Sequence, residues 1–157
     1  MDQAPSYRCY FGAACWERDA WAGGFYPEDL PPEWRLAYYS AAFSCVYLPY
    51  AEWCGRDLRL LAAWVEDARP GFRFVLQANP AGATAADAAR LAVLAPRLAA
   101  PVSPEGLIWL EDWPDLRQLA QELPRRERPG YPLYLISRTG GLDLLNRARI
   151  LLDLLGM

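Results

Sequence analysis

Histidine and lysine are both missing from this chain: its 157 residues contain no His, and all 16 basic residues are Arg. The first absence excludes Ser-His and Cys-His nucleophilic systems and imidazole metal ligands. The second excludes Schiff-base and lysine general-base chemistry. Arginine fills neither role, because its guanidinium holds its proton to a pH above about 12. Proton chemistry is left to Asp, Glu, Tyr and Cys. The Arg-for-Lys bias and abundant Ala fit a GC-rich coding origin, but the missing histidines constrain mechanism whatever their origin. No apolar run approaches the ~18 residues of a membrane span. The start, MDQAPSYR, lacks the basic and apolar regions of an export signal, so a cytoplasmic protein is expected. A net charge of -3 shows no basic excess and argues against a nucleic-acid partner. The four cysteines, at positions 9, 15, 45 and 54, match no short CxxC metal or redox spacing.

Aromatic residues, in contrast, are abundant and clustered. Cys15 to Pro49 reads CWERDAWAGGFYPEDLPPEWRLAYYSAAFSCVYLP, with a Gly23-Gly24 turn and an apolar run on either side. Tyr7 to Gly12 reads as a first strand ending at Gly, and Phe43 to Leu48 as a second, stopped by Pro49. Between them Pro31-Pro32 opens a helix whose buried face is Leu36, Tyr39, Ser40 and Phe43. A helix over residues 56–68 is expected to bury Leu58, Leu61, Ala62 and Val65. Phe72 to Gln77 reads as strand 3. Thr84 and Asp87 have capping-box spacing and start an Ala-rich helix running toward Ala100, which Pro96 kinks or ends. Gly106 to Glu111 reads as strand 4, followed by a helix that Asp112 can cap. Tyr131 to Ser137 reads as strand 5, with Pro132 restricted to its beginning or an edge. Arg138-Thr139-Gly140-Gly141 then leads into a Leu-rich final helix.

This is a βα unit repeated five times at intervals of roughly 30 residues, within one domain spanning 1–157. Continuous apolar strands alternating with amphipathic helices predict a parallel sheet covered by helices.

Trp16, Trp21, Gly23 or Gly24, Phe25-Tyr26-Pro27, Leu30, Trp34, Tyr38-Tyr39, Phe43 and Val46 fall in an order that resembles the YecE-like family, domain of unknown function 72. Trp64, Pro70-Gly71 and Phe72-Arg73-Phe74 continue the likeness, and Gly141 with Asn146 echoes the family's C-terminal pattern. The resemblance covers residues 7–80 well and 131–157 loosely. It implies a TIM-barrel-like α/β fold and implies no particular reaction. The chain departs from the pattern where strands end: Tyr47 replaces the usual strand-2 Glu, Pro49 the neighbouring Asn, and Gln77 the strand-3 Lys. TIM barrels run to about 250 residues, so the expected fold is a partial barrel of about five βα units. An open flavodoxin-like sheet is the alternative.

Three constellations can carry chemistry. Trp16, Trp21, Phe25, Tyr26, Tyr47 and Trp53 could line an aromatic pocket at the carboxyl end of the sheet, with Gln77 beside it; packing is their ordinary role. Arg138, Gly140 and Gly141 could hold a phosphate at the start of the last helix, or form a plain strand-to-helix turn. Glu52, Glu111 and Asp112 follow strands 2 and 4; Glu111 is the candidate acid or base if burial raises its pKa. Cys15 and Cys54 both follow strands and are the only candidates for metal or redox use; no metal site and no cofactor are expected.

Two functions compete. In the first, a non-catalytic relative acts through a homodimer or a protein partner that covers open sheet edges. In the second, a binder or hydrolase acts on a phosphorylated or sugar-like ligand, using the aromatic pocket, Arg138 and a carboxylate.

Overall fold

A computed structural model describes residues 7–99 and 106–157; the MDQAPS start and the Ala100 end of the expected Ala-rich helix lie outside them. Among the described residues five parallel strands form one sheet: β1 (Cys9–Ala14), β2 (Cys45–Leu48), β3 (Arg73–Leu76), β4 (Leu107–Trp109) and β5 (Leu133–Ser137). Their spatial order is β3-β2-β1-β5-β4. Among the described residues six α-helices follow the strands, two of them after β2: α1 (Arg35–Ala42), α2 (Tyr50–Trp53), α3 (Leu58–Asp67), α4 (Ala85–Leu94), α5 (Leu116–Arg126) and α6 (Leu142–Leu155).

Local chemistry sets the helix ends. Thr84 and Asp87 form the expected capping box at α4, and Pro96 falls in the short 3-10 turn that ends it. The cap of α5 is Asp115, which accepts from the Arg117 N–H at 2.9 Å. This corrects the expectation for Asp112, which sits in a 3-10 turn directly after β4. In α3 the buried residues are Leu61 and Trp64, whereas Leu58 opens the helix and is exposed. The expected apolar stripe therefore lies rotated, because the large Trp64 ring is what fills the space against Trp16.

One core contains the inward residues of the helices, such as Leu36, Leu61, Leu94, Leu119 and Leu145, together with one face of every strand. A second cluster holds Tyr10, Cys45, Val75, Tyr134 and Ile136, the opposite face, and among the described residues no helix contributes to it. The helices thus cover one side of the sheet, as the outer ring of a βα barrel does; doubly wound sheets carry them on both sides.

The uncovered face is concave. β2 and β4 are separated by β1 and β5, about 14 Å in a flat sheet. Yet the Tyr47 and Trp109 rings meet edge to face with centroids 5.0 Å apart. Across an equal number of strands, the Arg73 guanidinium donates to the Tyr134 hydroxyl at 2.9 Å. Only a strongly coiled sheet brings these side chains together. The sheet does not close: it is an open parallel arc. Beyond β3, Leu98 adds a single parallel bridge to Phe74.

Gly12 is required at the middle of this arc. The Tyr39 hydroxyl inserts between β1 and β2, accepting from the Ala13 N–H at 2.8 Å and donating to the Cys45 carbonyl at 2.7 Å. A Cβ on residue 12 would stand 1.9 Å from that carbonyl oxygen.

Candidate functional site

The carboxyl ends of the strands gather the charged and aromatic residues that a barrel-like fold places at its working face. Glu111, just after β4, is the most heavily engaged. Its carboxylate accepts from the Ser137 hydroxyl and the Arg138 N–H, each at 2.6 Å, and from the Thr139 hydroxyl at 2.9 Å and N–H at 3.2 Å. Burial pushes the Glu111 carboxyl up, but the hydrogen bonds from Ser137, Arg138 and Thr139 outweigh it and hold the pKa below its ordinary value. A general acid needs the opposite shift. In this arrangement Glu111 is a charged clamp, and the β5–α6 turn already cradles an anion of the protein's own.

Arg18 fastens the same turn from the other side. Its guanidinium donates to the carbonyls of Thr139 at 2.9 Å and Arg138 at 3.2 Å, and also to Ala14 at the end of β1. Gly140 takes a φ of +71°, and a Cβ there would stand 2.7 Å from the Arg18 guanidinium carbon, so both the conformation and the contact favour glycine. Trp21 adds an indole N–H to the Gly140 carbonyl at 2.9 Å. Gly141 is the N-cap of α6.

Arg138 points to the concave side. Its guanidinium lies 4.5 Å from the Trp109 ring centroid and 3.4 Å from the Asp112 carboxylate. With the Tyr47–Trp109 contact this makes a continuous Tyr47–Trp109–Arg138 array. It is the part of the expected site that the structure brings together, and Trp109, its centre, was absent from the expected set. A strand-terminal Trp beside two carboxylates is the signal that could have marked it.

The six-ring pocket is not assembled. Trp16, Trp21, Tyr26 and Trp53 are buried in the helix-side core, on the other face of the sheet from Tyr47, and Phe25 packs against them. Trp16 packs edge-on against Trp64 at 4.7 Å, and Trp21 stacks on Tyr39 at 6.1 Å. Their polar atoms serve the backbone: the Tyr26 hydroxyl donates to the Trp16 carbonyl at 2.5 Å and the Trp53 indole to the Gln77 carbonyl at 3.0 Å. The Gln77 side chain accepts from the Tyr50 N–H, which ties β3 to α2. Glu52 pairs with Arg56 at 3.5 Å on a half-exposed surface.

All four cysteines are free thiols. Cys15, in a left-handed conformation at φ +63°, lines a cavity of about 60 Å³ with Glu52 and Arg56, but Cys54 does not line it. Burial first, then the Glu52 charge, raises the Cys15 pKa, away from the thiolate that ligation needs. Among the described residues no cluster of three or more His, Cys, Asp or Glu could hold a metal ion. Nor is any helix among them long and apolar enough to cross a membrane.

A family profile described as "Protein of unknown function DUF72" matches residues 10–100, more than half of the chain. The crystal structure of a DUF72 family protein from Thermotoga maritima is similar with a TM-score of 0.57. That alignment covers 91% of this chain and 98% of the other, at 13% identity, a level at which the likeness bears on the fold alone. No curated protein matches.

Proposed function

The chain belongs to the DUF72 family of proteins of unknown function, and from that premise we propose that it works by association with another polypeptide and not by catalysis. One observation carries this reading: β4 offers an unpaired strand edge. The Tyr134 N–H donates to the Gly106 carbonyl at 2.7 Å, and Ile108 aligns with Leu135. Alternation along the strand then turns the backbone N–H and C=O groups of Leu107 and Trp109 away from β5. Among the described residues these groups meet no other strand. At the opposite end of the sheet the Ala99 N–H donates to the Phe74 carbonyl at 3.0 Å, so the β3 edge is partly covered.

An unpaired edge is a template for another chain unless it is blocked. β4 carries neither Pro nor a charge within Leu107–Trp109 to block it. The occupant that fits is a second copy of this chain, or a fuller member of the family that supplies the strands needed to continue the arc. The non-catalytic half of the reading rests on Glu111, the best-placed carboxylate, being committed to the β5–α6 turn, in a chain that has neither His nor Lys. Light scattering across a dilution series tests it. The purified chain is expected to show a mass above that of the 17.7 kDa monomer, falling toward it on dilution. A monomer at every concentration up to several hundred micromolar, on the order of a Kd of 1 mM or weaker, would overturn self-association.

The Tyr47–Trp109–Arg138 array favours a second reading, in which a phosphorylated or sugar-like small molecule stacks at the carboxyl end. On that reading phosphate-bearing ligands raise the Tm of the wild type, and Arg138→Ala abolishes the shift; an unchanged shift removes it.

A further inference from the structure

The amino end of the concave face carries a feature unrelated to β4 or to the carboxyl-end array. Tyr7, Tyr10, Arg73, Arg128 and Tyr131 line a cavity of about 700 Å³ there. Arg73 opens β3. Its guanidinium sits 4.5 Å from the Tyr10 ring centroid and uses one N–H on the Tyr134 hydroxyl. A guanidinium has five N–H donors, and no carboxylate among the described residues pairs with this one. Glu127, the acid that lines the cavity, is taken by Arg8 at 3.5 Å.

Tyr10 supplies the second, independent observation. It is 1% exposed and stacked on Tyr134 with ring centroids 5.1 Å apart, and its buried hydroxyl has no hydrogen-bond partner. The Tyr7 backbone lies near that hydroxyl without making a hydrogen bond of normal geometry. A partly desolvated cation without an anion and a buried hydroxyl without an acceptor are both costly. Both residues line one cavity, whose other walls include tyrosine rings, the prolines at 124, 129 and 132, and the charged side chains of Arg8, Glu127 and Arg128.

We infer that this cavity binds a small organic oxyanion with a flat apolar body. The oxyanion, a phosphate monoester or a carboxylate, takes its hydrogen bonds from the Arg73 fork and the Tyr10 hydroxyl, with Arg128 adding positive charge. The body lies against Tyr7 and Tyr131.

Calorimetric titration of the full chain with phenyl phosphate, benzoate and inorganic phosphate tests this. Saturable binding of phenyl phosphate assigns the phosphate source, and saturable binding of benzoate assigns the carboxylate. Either is expected to bind about tenfold or more tightly than inorganic phosphate, from burial of the ring. Arg73→Gln should abolish binding. Tyr10→Phe should weaken it about tenfold while leaving Tm unchanged or raised, because the hydroxyl it removes has no partner in the protein. The inference is overturned by absence of saturable binding of both organic probes at concentrations on the order of 1 mM. It is equally overturned by a Tyr10→Phe variant that binds as wild type, or one whose Tm falls and so reveals an internal partner for that hydroxyl.

Discussion

A carboxylate that accepts four hydrogen bonds from one turn is structural before it is anything else. Glu111 does this for Ser137, Arg138 and Thr139, and its pKa is held low because the bonds favour the charged form over the cost of burial. Replacing it with Gln removes the charge and presents N–H groups to donors. A loss of about 2 kcal/mol is expected for hydrogen bonds of this charged kind, which lowers Tm by roughly 4–8 °C in a chain of this size. Thermal unfolding of Glu111→Gln checks it; an unchanged Tm would contradict the clamp. The sequence made Glu111 conspicuous as a strand-terminal acid, but its role was not legible. Four of its bonds come from residues 26 to 28 positions away. Arg18 was silent for the same reason: its carbonyl partners at 138 and 139 become neighbours only once β5 pairs with β1.

At the scale of elements, the most informative joint is the one between β3 and α4. The Asp87 carboxylate accepts from the Thr84 N–H at 2.9 Å, from Asn79 at 3.1 Å and from the Tyr50 hydroxyl at 2.8 Å, so a single side chain caps α4 and ties it to α2. The Thr84 backbone bond first, then the Asn79 bond, hold its pKa at about 2. A carboxyl depressed in the folded state contributes stability that is fully present above its unfolded value of about 4. That contribution is lost as pH falls through the folded value near 2. Wild-type Tm should therefore drop between about pH 4 and about pH 2 by more than that of Asp87→Asn. Parallel pH curves for the two proteins would remove Asp87 from the account. The cap itself was legible, because Thr84 and Asp87 sit within one turn and capping is local chemistry. The face of α3 was not: periodicity alone put Leu58 inward, whereas the Trp64 contact with Trp16, across most of the first half of the chain, fixes the helix rotation. The aromatic pocket failed similarly. Its rings are close in sequence, but alternation along the strands sends Tyr47 to the concave face, while the rings of the post-β1 loop fold back under α1 and α3.

For the whole molecule, five βα units without enough strand to close a ring leave an arc with helices outside and a filled concave face inside. The βα repeat and parallel sheet could be read from apolar runs at regular spacing. The coiling could not, because it shows only in contacts such as Tyr47–Trp109 and Arg73–Tyr134 that span three strand spacings. The same geometry separates three regions with distinct chemistry: a clamped turn at the carboxyl end, a cation without a carboxylate and a hydroxyl without an acceptor among the described residues at the amino end, and the outer edge of β4. Self-association through that edge is open to direct test. Leu107→Pro removes an outward N–H while leaving the β5-facing bonds of Ile108 in place, and Pro is tolerated on an edge strand at such a position. The direct test is light scattering of wild type and Leu107→Pro at matched concentrations, with circular dichroism to establish that both are folded. An associated wild type and a folded, monomeric variant are expected; a folded variant with the same mass as an associated wild type, or a wild type that is itself monomeric throughout, would contradict self-association through β4.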